Sequence, residues 1–132
     1  KENDLAIVVP SIKLTTTKPI NYRINDKLDI RGETVVHAGY PADLGLSVFS
    51  GTVSLCAASN FMMQSFALPG SSGSVVFDNK GRAVGVLSAL KMGYYGHSPF
   101  PQLHPTMVYV ARTRQLSRKD IEGMIVKWNS LR

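Results

Sequence analysis

Short apolar runs, separated by glycine, proline and small polar residues, recur along most of the chain, the pattern of β-strands joined by turns. Leu5-Ala6-Ile7-Val8-Val9 is the first run, ended by Pro10. Val35 to Ala38 follows, closed by Gly39-Tyr40-Pro41. Ser47 to Leu55 contains Gly51, which within a strand predicts a bulge or a close backbone approach. Met62 to Ala67 comes next. Val75-Val76-Phe77 and Ala83 to Leu87 flank Asp78-Asn79-Lys80-Gly81, a connection that predicts a hairpin. Met107 to Val110 is the last strand. Between the last two runs, Lys91 to Pro105 carries glycine and proline breaks and predicts a long surface loop.

The end of the chain differs in kind. Ser117 is a good N-cap with Asp120 three residues on, a capping-box arrangement. Ile121, Met124, Ile125 and Trp128 then follow at helical spacing. The pattern predicts a helix from Arg118 to Asn129, with its apolar stripe and Trp128 packed on the sheet. Together the elements predict an all-β barrel or sandwich closed by one helix.

Composition narrows the class. The chain has 132 residues, 44% of them hydrophobic and 18% charged, which fits one globular domain with a modest core. No apolar run reaches the roughly 18 residues needed to span a bilayer. No signal peptide is visible at Lys1. The formal charge is +6, but the basic residues are scattered apart from a mild cluster from Arg112 to Lys119. A solvated basic surface is expected, and nucleic-acid binding is not. Cys56 is the single cysteine, so no internal disulfide can form; in its apolar run it is expected as a buried structural thiol.

The chemistry-bearing segment is Leu68-Pro69-Gly70-Ser71-Ser72-Gly73-Ser74. A nucleophilic serine needs its Oγ clear of the chain and nearby N–H groups converging on the oxygen of the attacked carbonyl. Glycine permits the backbone angles that aim such N–H groups. The glycine spacing favours Ser72 over Ser71.

The run from Leu68 through Ser72 and the hairpin to Ser88 resembles the nucleophile region of chymotrypsin-like serine proteases, most of all the disulfide-free bacterial members of the HtrA type and some viral ones. Ser74-Val75 stands where the family usually has Gly-Pro. Three other stretches resemble the family in the same order. They are Asn3 to Val8, Gly32 to Pro41 with Ser50 to Ser54, and Pro105 to Val110 with the helix after it. The resemblance implies the second, six-stranded antiparallel Greek-key barrel of the double-barrel fold over residues 1–116, with the C-terminal helix over 117–132.

By the same resemblance Ser72 is the nucleophile of a serine endopeptidase, Gly70 and Ser72 supply the oxyanion-hole N–H groups, and Asp4 is the triad aspartate. Phe66 falls at the base of the P1 pocket. Ser88-Ala89-Leu90 matches the strand that pairs with the substrate backbone, and Leu90 and Met107 fall on the pocket wall. No metal or other cofactor is implied. In the family the histidine base precedes the aspartate in sequence, and residues 1–3 of this sequence, which precede Asp4, hold none. His37 occupies a usually apolar strand position, while His97 and His104 match no family position. The implied partners are therefore a first barrel bearing the histidine, on a separate chain or a missing segment, and a polypeptide substrate. The alternative is a non-catalytic structural or binding domain, such as a virion or complex component. A bacterial, phage or viral context fits either, and a disulfide-stabilised secreted protease does not.

Overall fold

The structure is a computed structural model that describes residues 4–24, 26–93 and 99–131. Alternation of inward and outward positions builds six strands: β1 (Thr34–Gly39), β2 (Ser47–Cys56), β3 (Asn60–Gln64), β4 (Val75–Asp78), β5 (Ala83–Gly93) and β6 (Gln102–Arg112). All neighbours pair antiparallel, and the sheet closes on itself in the order β1-β2-β3-β6-β5-β4. Because β4 returns to lie beside β1, the first four strands form a Greek key.

The inward side chains fill the barrel. Val35, Val53, Phe61, Met63, Val76, Val84, Leu87, Val108 and Val110 form one buried cluster, with Cys56 half-buried against it. Gly51 is a close-approach site, as its place in the strand predicts. A Cβ there would sit 2.3 Å from the Gln64 carbonyl oxygen and 2.5 Å from Ser65 Cβ. The hairpin between β4 and β5 also forms as predicted. Asp78 is buried, and its carboxylate accepts from the Lys80 and Arg82 N–H groups at 2.9 Å each and from Arg82 Nε at 2.8 Å.

Three expectations change. The run Leu5 to Val9 alternates half-buried and exposed residues but joins no strand. A closed barrel leaves no free edge for it to pair with. The predicted loop from Lys91 to Pro105 is shorter than expected, because the β5–β6 ladder continues outward through Lys91↔His104 to Gly93↔Gln102. The ladder shifts register between Leu90 and Lys91, so Pro105 falls in an irregular stretch where its missing N–H breaks no paired bond. Finally, α1 (Arg118–Ser130) forms with Ser117 Oγ accepting from the Asp120 N–H at 3.1 Å, yet none of its residues is buried. Its stripe does not pack on the sheet. Met124, Trp128 and Leu131 face Ile7, Val8 and Val9 across a groove, and Trp128 remains 40% exposed.

One feature has no sequence signature. Residues 21–24 and 26–30 strap across an end of the barrel, and buried polar groups hold them there. Tyr22 makes a parallel bridge to Ala83, with Arg23 N donating to Ala83 O and Ala83 N to Asn21 O, both at 2.8 Å. Arg112, 1% exposed at the end of β6, donates to the carbonyls of Leu28 at 2.8 Å, Lys27 at 2.9 Å and Ala57 at 3.0 Å. Arg23 pairs with Glu33 at 2.6 Å and Asp26 at 2.8 Å. Removing the Arg112 guanidinium leaves three carbonyls without their donor. Arg112→Met, which keeps most of the volume, is expected to cost about 3 kcal/mol of unfolding free energy, measured by urea titration.

Candidate active site

Two consecutive turns shape the serine segment. Ser71 N donates to Leu68 O, and Ser74 N to Ser71 O, both at 3.1 Å. The second corner of each turn is a glycine with positive φ, Gly70 at 97° and Gly73 at 88°. Pro69 before Gly70 completes the residue pattern of a type II turn. The pair of turns is tied to β5 by Gly73 N to Leu87 O and Leu87 N to Ser74 O, both at 2.8 Å.

This geometry separates the two adjacent serines. Ser71 is 3% exposed, and its Oγ accepts from the Leu68 N–H at 3.4 Å. Ser72, on the first corner of the second turn, is exposed. The Ser71 N–H is taken by Leu68, whereas among the described residues neither the Gly70 nor the Ser72 N–H donates to a backbone carbonyl.

Ser72 and Asp4 meet at one residue. Ser72 Oγ donates to the Ser88 carbonyl at 3.2 Å, and Ser88 Oγ donates to the Asp4 carboxylate. Ser88 can do both because it lies in a bulge. The β5–β6 register passes from Leu87↔Val110 to Ala89↔Tyr109 and leaves Ser88 without an opposite residue. Bulges re-aim a side chain in this way.

The remaining residues singled out in the sequence lie near the β3–β6–β5 side. Gln64 of β3 stands opposite Met107, and Ser65 N donates to Thr106 O at 3.3 Å, which sets Phe66 beside the segment carrying Met107. Leu90 is half-buried against the core, and Ala89 is exposed. Phe66 is 44% exposed, with its ring centroid 5.6 Å from that of Phe49, which lies 5.3 Å from the His37 ring. An aromatic column thus runs from the surface to the barrel interior.

His37 is the interior end of that column. It is 1% exposed, with Nε2 3.3 Å from Ser65 Oγ, which donates in turn to Ser50 O at 3.4 Å. It is a satisfied strand residue and has no access to Ser72's surface. Burial pushes its imidazole below the ordinary value of 6.5, and a hydrogen bond with the Phe66 backbone acts in the opposite sense. His97 lies outside the described residues, and His104 is placed only by its register opposite Lys91. Among the described residues, no three His, Cys, Asp or Glu side chains gather as metal ligands would.

Sequence reasoning singled out Ser88 for pairing with substrate but did not foresee its link between Asp4 and Ser72, since a bulge leaves no mark in a run such as Val86-Leu87-Ser88-Ala89. It also passed over Ala42. That residue and Asp43 have positive φ, 49° and 59°, in a turn closed by Leu44 N to Pro41 O at 2.9 Å, and Ala42 N donates to Pro69 O at 3.3 Å. Aspartate tolerates the left-handed region, whereas alanine is disfavoured there by roughly 1–2 kcal/mol.

A closed barrel of six antiparallel strands followed by a single C-terminal helix is the architecture of a chymotrypsin-like barrel. The chain belongs to the trypsin-like peptidase domain family, whose family model matches residues 1–86. That match takes in Asp4, Phe66, Gly70 and Ser72, whereas Ser88 to Leu90 and Met107 lie beyond it. A search of curated proteins gives no match.

The state of His37 has a measurable consequence. The unfolded chain holds the imidazole proton more tightly than the folded one, so this group's contribution to stability is complete above about pH 6.5 and is lost as the pH falls below that. Urea unfolding at pH 7.5 and pH 5.0 should show a smaller loss of stability on acidification in His37→Gln than in the parent.

Proposed function

We propose that this chain is the nucleophile-bearing half of a serine endopeptidase. The observation that carries the reading is the convergence of Ser72 and Asp4 on Ser88. The base is a histidine supplied by a part outside this chain, and it takes the Ser72 Oγ proton in place of the Ser88 carbonyl. Asp4 orients that imidazole and stabilises its charged form. The hydroxyl oxygen adds to the scissile carbonyl, and the Gly70 and Ser72 N–H groups donate to the developing oxyanion. Collapse passes the proton to the leaving amine and leaves an acyl group on Ser72, which water then removes by the same steps.

Substrate peptide would lie along Ser88-Ala89-Leu90 as an added strand. Phe66, Leu90 and Met107 would line an uncharged P1 pocket. Kinship with HtrA-type bacterial or viral members fits the lack of disulfides. The histidine-bearing first barrel would find apolar cover to make over Val8, Ile12, Leu14 and Ile20, all more than half exposed. A non-catalytic binding or structural role is the second reading. It is favoured by His37, the one histidine whose side chain is described, lying inside the barrel.

Two measurements test the protease reading. The protein expressed with its histidine-bearing part should react with a fluorophosphonate probe at Ser72. Ser72→Ala should lose at least about a thousandfold in labelling rate while circular dichroism and the melting temperature stay unchanged. In a fluorogenic peptide panel, uncharged P1 residues should be cleaved at least tenfold faster than Lys or Arg, and a dominant Arg preference would refute the pocket assignment.

A further inference from the structure

The Pro69–Gly70 peptide is a plane with two choices. A type II turn and a type I turn differ mainly by a flip of their central peptide, and proline at the first corner accepts either. In a trans peptide the C=O and N–H point to opposite sides. Whatever holds the Pro69 oxygen therefore decides where the Gly70 N–H points. In this structure the holder is the Ala42 N–H, 3.3 Å from Pro69 O.

Ala42 reaches that position by an unusual route. It has φ 49° and ψ 43°, and Asp43 follows with φ 59°, so the chain between β1 and β2 makes a left-handed turn at Pro41–Leu44. Pro41 is buried, and the turn is closed by Leu44 N to Pro41 O at 2.9 Å. A Cβ placed on Gly70 would lie 3.6 Å from Ala42 N and 3.9 Å from Pro41 Cα, so the two turns pack backbone to backbone. A disfavoured conformation of an alanine is maintained where it aims one N–H at the neighbouring carbonyl.

We propose that Ala42 is a positioning residue for the oxyanion site: its N–H holds the Pro69 carbonyl and so keeps the Gly70 N–H turned away from the β1–β2 connection and free for substrate. The inference rests on the protease reading above. It assigns the strain at Ala42 a purpose in transition-state stabilisation and gives none to the Ala42 side chain.

The test removes the donor atom and otherwise only weakens the Pro41 carbonyl as the acceptor of the Leu44 N–H. Lactic acid incorporated at position 42 replaces the amide with an ester, keeping the methyl group and removing the N–H. In the protein carrying its histidine-bearing part, this variant should lose roughly 10- to 100-fold in kcat and in fluorophosphonate labelling rate, with KM changed less than about threefold. Ala42→Gly, which keeps the N–H and is at ease with positive φ, should stay within about twofold of the parent. An ester variant as fast as a labelled parent would overturn the positioning role alone, as would a loss confined to KM. A parent that takes no label at all would overturn the protease reading, and this inference with it.

Discussion

Ser88 contributes two groups to the site, and both depend on its being out of the ladder. A regular strand residue alternates its side chain and commits its carbonyl to a neighbour. The register shift between Leu87 and Ala89 suspends both requirements at one position. The carbonyl then receives the Ser72 hydroxyl, while the side chain reaches Asp4 from the start of the described chain. Without the bulge the serine turn and the N-terminal segment would have no common contact. The turn itself is anchored to the same strand one residue earlier, through Leu87. Strand β5 is thus the reference against which the exposed Ser72 and the Asp4 carboxylate are both placed.

The short strand β4 links this site to the polar clamp around Asp78 and Arg23. It begins just after the serine turns and ends at Asp78, whose carboxylate closes the following hairpin and lies 3.6 Å from Arg23. Rigid polar clamping by Arg23, Asp78 and Arg112 sits at one end, and the exposed serine at the other. A site held within a few tenths of an ångström needs such a supporting frame. The exposed hydroxyl and the open glycine turns can then remain accessible without loosening the barrel.

Much of the fold was legible because its signals are local. Strand runs, the Asp78–Gly81 hairpin and the Ser117 cap each follow from a few neighbouring residues. The serine turn was legible for the same reason, since Gly70 and Gly73 announce positive φ. What escaped depends on distant partners. Leu5 to Val9 reads as a strand, but whether it pairs depends on a free edge, and barrel closure removes that. The stripe on α1 reads as core, but closure also turns the inner face of the sheet away from it. Arg112 gives no hint in sequence that it will be buried, because its acceptors are carbonyls some 55 to 85 residues earlier. Ala42 is ordinary in sequence, and only its backbone angles mark it.

The strap formed by residues 21–24 and 26–30 bears on how the polypeptide assembles during synthesis. Its anchors are Ala83, Arg112, Thr113 and Arg114, all made long after the strap itself; Thr113 Oγ1 donates to Arg23 O and Arg114 Nε to Asp26 O at 2.7 Å. The closing strand β6 also arrives late and must join both β3 and β5. Arg23 can pair early with Glu33, and β1 with β2, but the strap's bonds to Ala83, Arg112, Thr113 and Arg114 wait until residue 114 has cleared the exit tunnel. Contacts of such sequence separation make for slow folding and a long exposure of unpaired strands. Holding the nascent chain until its last strand appears is thus a demand built into the topology itself.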